Sequence, residues 1–591
     1  MAQQLDLVVH STHEAGVKLG GIGAVLDGLL SQPAYNAAVK RTVLVGPLNT
    51  ADDLEMTRLF APQNHFQPLY LTWRYLNDAS PELAQQFNQV ERDYHVHIVY
   101  GKKKYGAYEH EVLLIDPHHI NPASVRETKY FFAEQYGIDS LRYQHDDEYN
   151  WYITAAAPSF AALGALVNWQ PGRAVIIAHE WLGLPMVFAA IHRQPGAYKT
   201  VFYAHEVATM RPLVEGDRGH DTRFYNVMRQ ARSENLYVTD LFGDQGWNYR
   251  HAMIHAAGAF DAFLAVSDLT LQELQFLGPQ FASRPISRVY NGVPAPNLNI
   301  DQRWVSKDKL AEYARALVGF RPTWVFSHVT RMVLSKALWR DLRVMEQLDN
   351  LLAARGESAV LFTLSSTVPQ GRASEDVWRW EREYGWPAWH RSGNGDLVGL
   401  EVDYWQALFG FNQRARASRI VLVNQFGWSR ERCGGRMPAD MEYNDMRRGS
   451  DVEFGQSIYE PFGIAQLEPL SAGALCCLST SCGCAYFLER TMLDEKSNGL
   501  DLNNIVLADY ITLPPGWEYP NAYAMRNIGS FERDQIEAAE AWRAANKIIQ
   551  RLPRQGHDAW VLQENGRALA EKMSWKVIVE EELVPALHSL F

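Results

Sequence analysis

Leu5-Asp6-Leu7-Val8-Val9-His10 is followed by Val17-Lys18-Leu19-Gly20-Gly21-Ile22-Gly23, an amphipathic segment from Ala24 to Leu30, and a second apolar run from Val39 to Gly46. Apolar run, glycine-rich turn, helical period and apolar run make a strand, loop, helix, strand unit, the start of a βαβ layer. Working outward, Val175 to Ala178 precedes His179-Glu180-Trp181, Thr200 to Ala204 precedes His205-Glu206, and Phe263 to Val266 precedes Ser267-Asp268. Polar groups at the ends of buried strands mark a ligand crevice. The pattern restarts at Trp324 to His328, after a polar stretch from Pro294 to Lys309 that lacks periodicity. Val360 to Leu364, Ile420 to Val423 and Ala474 to Leu478 then read as strands, with helical patterns at Leu338 to Arg355, Gln535 to Gln550 and Trp560 to Lys572. The reading is α/β, with two doubly wound domains, 1–305 and 306–591. Gly427 to Gly449 reads as a charged loop without an apolar period, and no internal repeat or heptad run is present.

At 591 residues and 47% hydrophobic content the chain supports at least two cores, and its composition is that of a soluble enzyme. With 56 basic and 68 acidic residues it carries a net charge of -12, so no nucleic-acid or membrane partner is expected and an anionic ligand needs a local basic pocket. Met1-Ala2-Gln3-Gln4-Leu5-Asp6 shows neither a basic nor an apolar signal region, and five cysteines are few, so a cytoplasmic, reducing setting is expected.

Two stretches carry chemistry. Glycines Gly20 and Gly21 let the backbone approach an anion at a helix start, with Lys18 adding a point charge. In Tyr459-Glu460-Pro461-Phe462-Gly463-Ile464-Ala465-Gln466-Leu467-Glu468-Pro469-Leu470 two carboxylates stand eight residues apart. A helix beginning after Gly463 would put Glu468 one turn in, so that one ligand meets both glutamates.

This segment closely resembles the E-x7-E element of retaining glycosyltransferases of the GT-B architecture. Lys18-Leu19-Gly20-Gly21 is similar to the K-x-G-G of glycogen and starch synthases, His179-Glu180-Trp181-Leu182 to their H-[DE]-W element, and Arg331-Met332-Val333-Leu334-Ser335-Lys336 to their R-x4-K phosphate clamp. Tyr203-Ala204-His205 resembles the strand end that carries the family's active-site histidine, and Asn291-Gly292-Val293 its closing turn. The resemblance implies two Rossmann-like domains facing across a cleft, with the last helices crossing back to the first. It also implies transfer of glucose from ADP- or UDP-glucose to an α-1,4-glucan, or, alternatively, to a small sugar, sugar phosphate or polyol. A non-catalytic nucleotide-sugar or glucan binder is the reading from another class.

By that resemblance His205, Arg331, Lys336 and Glu460 are catalytic. Lys18, Gly20, Gly21, Phe462, Gly463, Glu468, Ser481 and Gly483 bind the donor, Glu460 through sugar hydroxyls and Glu468 through the ribose. Departure of a nucleoside diphosphate needs positive charge and hydrogen-bond donors, so neither metal nor cofactor is expected. Two positions depart from the family: Ser481-Cys482-Gly483-Cys484 stands where T-G-G-L is usual, and Ala337 where glycine follows the clamp lysine. Cys476, Cys477, Cys482 and Cys484 lack a usual zinc spacing and read as small packing residues. His95, His97, His118 and His119 read as solvated. His10, Thr12, His13 and Glu14 stand where the first crevice opens. Arg430, Arg432, Arg436, Arg447 and Arg448 read as solvated loop arginines rather than an effector site.

Overall fold

A computed structural model describes residues 3–71, 76–167, 172–493 and 502–591. The chain forms two compact units. One comprises residues 1–210, 235–292 and 575–591, the other 211–234 and 293–574.

Among the described residues the first unit carries ten strands: β1 (Leu7–Ser11), β2 (Thr42–Pro47), β3 (Phe66–Leu71), β4 (Leu76–Asn77), β5 (His97–Tyr105), β6 (Tyr108–Asp116), β7 (Ala174–His179), β8 (Lys199–Ala204), β9 (Ala262–Ala265) and β10 (Ile286–Arg288). Their order in the sheet is β10-β9-β8-β7-β1-β2-β6-β5-β3-β4. The seven from β10 to β6 are parallel, and β5, β3 and β4 extend the sheet antiparallel. Strands β1 and β7 are buried along their whole length, which is why they read as unbroken apolar runs. The β5–β6 hairpin was not foreseen, because its lysines and histidines look like loop. Gly106, at φ +59°, supplies the left-handed turn that closes it.

The second unit carries β11 (Trp324–Val329), β12 (Ala359–Leu364), β13 (Ser418–Val423), β14 (Val452–Gly455), β15 (Leu475–Ser479) and β16 (Ile505–Ala508), all parallel in the order β13-β12-β11-β14-β15-β16. Successive strand residues face opposite sides. Phe326, Leu361, Leu422 and Cys477 meet the helices Leu338–Arg355, Leu400–Arg414 and Ser530–Arg551, whereas Val325, Phe362 and Val421 meet the helix Ile300–Val318. This is the doubly wound arrangement. Strand β14 escaped the sequence reading because it is four residues long and holds a buried carboxylate, Glu453. The stretch from Gly427 to Gly449 is more ordered than expected, with helices at Arg430–Cys433 and Tyr443–Gly449.

In each sheet the chain reverses direction of growth beside its first strand, between β1 and β7 and between β11 and β14. Such switch points open a crevice at the strands' carboxyl ends. No described helix is long and apolar enough to cross a membrane.

Candidate functional site

The switch point of the second unit gathers several of the expected residues. Lys336 ends a short 3-10 turn after β11 (Leu334–Lys336), and its ammonium donates to Glu460, which follows β14. The amide of Gln466 donates to the same carboxylate at 3.0 Å. Burial would raise the Glu460 pKa, but the charge and hydrogen bond of Lys336, helped by Gln466 and Arg211, bring it below the ordinary carboxylate value. Arg211 was missed by sequence reasoning. Its guanidinium donates to Ser335 at 3.2 Å and lies 5.2 Å from the centre of the Tyr459 ring, so it belongs to the clamp although it is distant in sequence. Arg331 is exposed at the carboxyl end of β11.

No α-helix starts after Gly463. A turn there leads into a 3-10 helix, Glu468–Ala472, with Pro469 at its start and Gly473 at φ +84° closing it. One turn is all that fits between those two residues. Gly463 itself has φ +98°, and a Cβ there would lie 2.6 Å from Gln466 Oε1, so the position demands glycine. Among the described residues the amides of Gly463, Ile464 and Ala465 donate to no partner.

Glu468 pairs with Arg447 at 2.9 Å, and Arg447 also meets Glu453 at 3.1 Å and donates to the Ala465 carbonyl. Arg447 is thus a buried strut between Glu453 and Glu468, not the solvated arginine expected. A buried carboxylate within β14 is explained by the same contact, since buried charges persist when paired.

The Ser481–Cys484 loop is committed internally. The Ser481 amide donates to Ser479 Oγ at 3.0 Å, that of Cys482 to Ser479 O at 3.0 Å, that of Gly483 to Glu460 O at 2.9 Å, and that of Cys484 to Phe462 O at 2.9 Å. The Ser481 hydroxyl is buried against Asp221 and the Ser457 carbonyl. Asp221 takes two hydrogen bonds from Arg340, at 2.7 and 3.0 Å, and Arg340 also donates to Glu537 at 2.9 Å. Arg340 also donates to the Gln456 and Ser457 carbonyls, so this buried network fixes the chain just before Glu460. The loop therefore supports Glu460 and Phe462 and leaves none of its own four amides free. All five cysteines are free and buried.

In the first unit Glu14 accepts from the Leu19 amide at 2.7 Å and the Gly20 amide at 2.6 Å. The chain's own carboxylate occupies the anion position at the start of the helix Gly21–Leu30, while Lys18 pairs with Asp27 at 2.8 Å on the surface. His205 stands at the end of β8, bonded through Nε2 to His179 Nδ1 at 2.9 Å. Glu180, at φ +61°, accepts from the Glu206 amide at 3.0 Å and ties the ends of β7 and β8 together.

No family model matches the chain, and no curated protein does. Solved structures do. The α,α-trehalose-phosphate synthase (UDP-forming) of Burkholderia xenovorans, in complex with glucose-6-phosphate, is 12% identical over 98% of this chain and 99% of its own, at a TM-score of 0.50. The N-terminal domain of Candida albicans trehalose-6-phosphate phosphatase is 10% identical over 100% and 98%, at 0.51. The catalytic domain of starch synthase IV from Arabidopsis thaliana, bound to ADP and acarbose, is 13% identical over 96% and 100%, at 0.47. Two Rossmann-like units with these strand orders, matched over almost the whole length of both chains, give this protein the fold of the GT-B glycosyltransferases.

Proposed function

We propose that the chain is a retaining glucosyltransferase that moves glucose from a nucleoside diphosphate glucose to a small acceptor, a sugar phosphate in the first instance. The observation that carries this is the Lys336–Glu460 pair at the switch point of the second sheet. In this reading the bond between the anomeric carbon and the diphosphate breaks, and a bond to an acceptor oxygen forms on the same face. The acceptor proton leaves with the phosphate oxygen. Lys336, Arg331 and Arg211, with the amides after Gly463, stabilise the charge developing on the diphosphate. Glu460 accepts from the glucose hydroxyls, and Glu468, held by Arg447, accepts from the ribose. Phe462 and Gly463 shape the donor pocket, Ser481 and Gly483 brace it, and His205 meets the sugar. Lys18, Gly20 and Gly21 belong to the acceptor-side domain, 1–305, and the donor is held by 306–591 together with Arg211, which packs with that half of the chain.

A sugar phosphate is better supported than the α-glucan suggested by the K-x-G-G likeness. Of the structures above, the two with a TM-score of at least 0.50 are named for trehalose phosphates, and one holds glucose-6-phosphate. A cytoplasmic setting belongs to the same reading, supported by five free thiols.

The test follows release of nucleoside diphosphate from UDP-glucose or ADP-glucose with glucose 6-phosphate or glycogen as acceptor. Release that depends on the sugar phosphate is the expected result. Release that depends only on glycogen returns the acceptor to an α-glucan, and nucleotide binding without release under any condition makes the chain a binder.

A further inference from the structure

Three imidazoles stand in file at the carboxyl ends of β1, β7 and β8. His10 Nδ1 lies 2.8 Å from His179 Nε2, and His179 Nδ1 lies 2.9 Å from His205 Nε2. Their rings stack, with centroids 5.1 and 5.2 Å apart. From His10 Nε2 the file continues to the Tyr35 hydroxyl at 2.9 Å and on to the Thr42 hydroxyl at 3.0 Å. His10, His179, Tyr35 and Thr42 are all buried. At the other end His205 Nδ1 is also buried and has no partner among the described residues.

Burial and mutual repulsion keep all three rings neutral; burial, with His13 nearby, pushes the His205 pKa down to about 3. Three neutral imidazoles carry one ring proton each, shared over two nitrogens apiece. Each nitrogen-to-nitrogen contact takes one proton. The remaining proton therefore sits at one end of the file, on His10 Nε2 or on His205 Nδ1.

The two hydroxyls decide which. With the proton on His10 Nε2, Tyr35 accepts it and donates to Thr42, and the Thr42 hydroxyl proton then has no acceptor inside the sheet. Two groups are left unbonded, the Thr42 O–H and His205 Nδ1. With Thr42 donating to Tyr35 and Tyr35 to His10, every proton along the file is bonded, and only the His205 Nδ1–H remains open. An unmade buried hydrogen bond costs roughly 1–3 kcal/mol, so the second arrangement wins.

We propose that Tyr35, which accepts from Thr42, is a positioning residue that acts through His10 and His179 to hold the proton of His205 on Nδ1, so that His205 donates a hydrogen bond to an oxygen of the bound sugar or its phosphate. The identity of that ligand rests on the glucosyltransferase reading, whereas the proton's position does not.

Full-length protein labelled with 15N-histidine tests this by long-range proton–nitrogen NMR near neutral pH, with His205→Gln identifying the signals. The expected result is a protonated Nδ1 and a bare Nε2 on His205, both in the wild type and in Thr42→Val, where Tyr35 keeps His10 as its only partner. A bare Nδ1 overturns the proposal. In His179→Asn the file is cut, and the His205 proton is expected to spread to Nε2. There kcat should fall about 10-fold or more while the dissociation constant of UDP alone stays within about two-fold. Tyr35→Phe, which removes one oxygen, gives the same comparison should His179→Asn not fold. An unshifted tautomer together with an unchanged kcat in the folded variant overturns the proposal. A wild type with the expected tautomer that transfers glucose from neither donor supports the proton assignment and overturns the enzymatic reading.

Discussion

Lys336 and Glu460 come from turns at the carboxyl ends of two adjacent parallel strands, β11 and β14, and form an ion pair that is nearly buried. Each group is held in place by the other. Removing either partner strands a charge, at a cost of about 2–3 kcal/mol given the pair's slight exposure. Glu460→Ala and Lys336→Ala are each expected to lose about 100-fold or more in kcat while remaining folded by circular dichroism. The double variant Lys336→Met/Glu460→Gln should recover part of the lost melting temperature but none of the activity, a pattern that separates the structural role from the chemical one.

The same pair predicts a pH dependence. The folded-state pKa of Glu460 lies below its ordinary value of 4.5, with the Lys336 charge and hydrogen bond outweighing burial. A carboxylate lowered on folding adds stability that is fully present above about 4.5 and lost as pH falls through the folded value. Thermal melts of wild type and Glu460→Gln should therefore differ most near neutrality and converge on acidification. A gap that stays constant from pH 7 to the acid limit would assign the stabilisation to shape rather than charge.

Glu14 gives a prediction about the glycine-rich loop. Its carboxylate accepts from the Leu19 and Gly20 amides, so the anion position at this helix start is already filled from within. Glu14→Ala should cost about 2 kcal/mol of stability, the usual worth of hydrogen bonds to a charged acceptor. Because the diphosphate is assigned to the second unit, the affinity for UDP measured by calorimetry should change less than about two-fold. A marked gain in affinity would show instead that the freed amides take the phosphate.

Arg447 supports Glu468 and Glu453 at once. Arg447→Ala leaves two carboxylates without their cation, and a loss of about 3–5 kcal/mol is expected, enough to lower soluble yield. Arg447→Lys should rescue little, because a point charge cannot span both carboxylates and the Ala465 carbonyl. Urea melts of the two variants check this.

Much of this was legible in the sequence, and the reason is physical. Strands buried on both faces show as unbroken apolar runs, and polar residues just beyond them show as crevices, so β1, β7, β8, β11 and the positions of His179 and His205 at strand ends could be read directly, whereas Lys336 stood out only through the R-x4-K resemblance. Arg211 could not, because the contact that brings it to Ser335 joins distant parts of the chain. Glu14 is placed at the first crevice by the sequence but its role as an amide cap is not, and Glu453 is hidden altogether: each satisfies a local need, amide capping in one case and a buried arginine in the other, that no spacing reveals. The loop at Ser481 is expected to bind the donor only because it stands where the resembled family has T-G-G-L. Its amides are spent on Glu460, Phe462 and Ser479, a matter of register between neighbouring segments that sequence does not display.

Ala337 carries the last prediction. It follows Lys336 with φ +49°, ψ +44°, in the left-handed region, and it caps the helix Leu338–Arg355. For an L-residue with a Cβ this conformation costs roughly 1–2 kcal/mol, and glycine escapes the penalty at the expense of a more flexible unfolded chain. The family pattern that this stretch resembles has glycine here, and the backbone explains why. Ala337→Gly is expected to raise stability by about 1 kcal/mol, seen as a shifted urea midpoint with an unchanged slope. The same variant should leave the geometry of Lys336 intact, since the 337 amide bonds to the Leu334 carbonyl whichever residue occupies the position. A lower midpoint would mean that alanine's packing, buried as it is, outweighs its backbone strain.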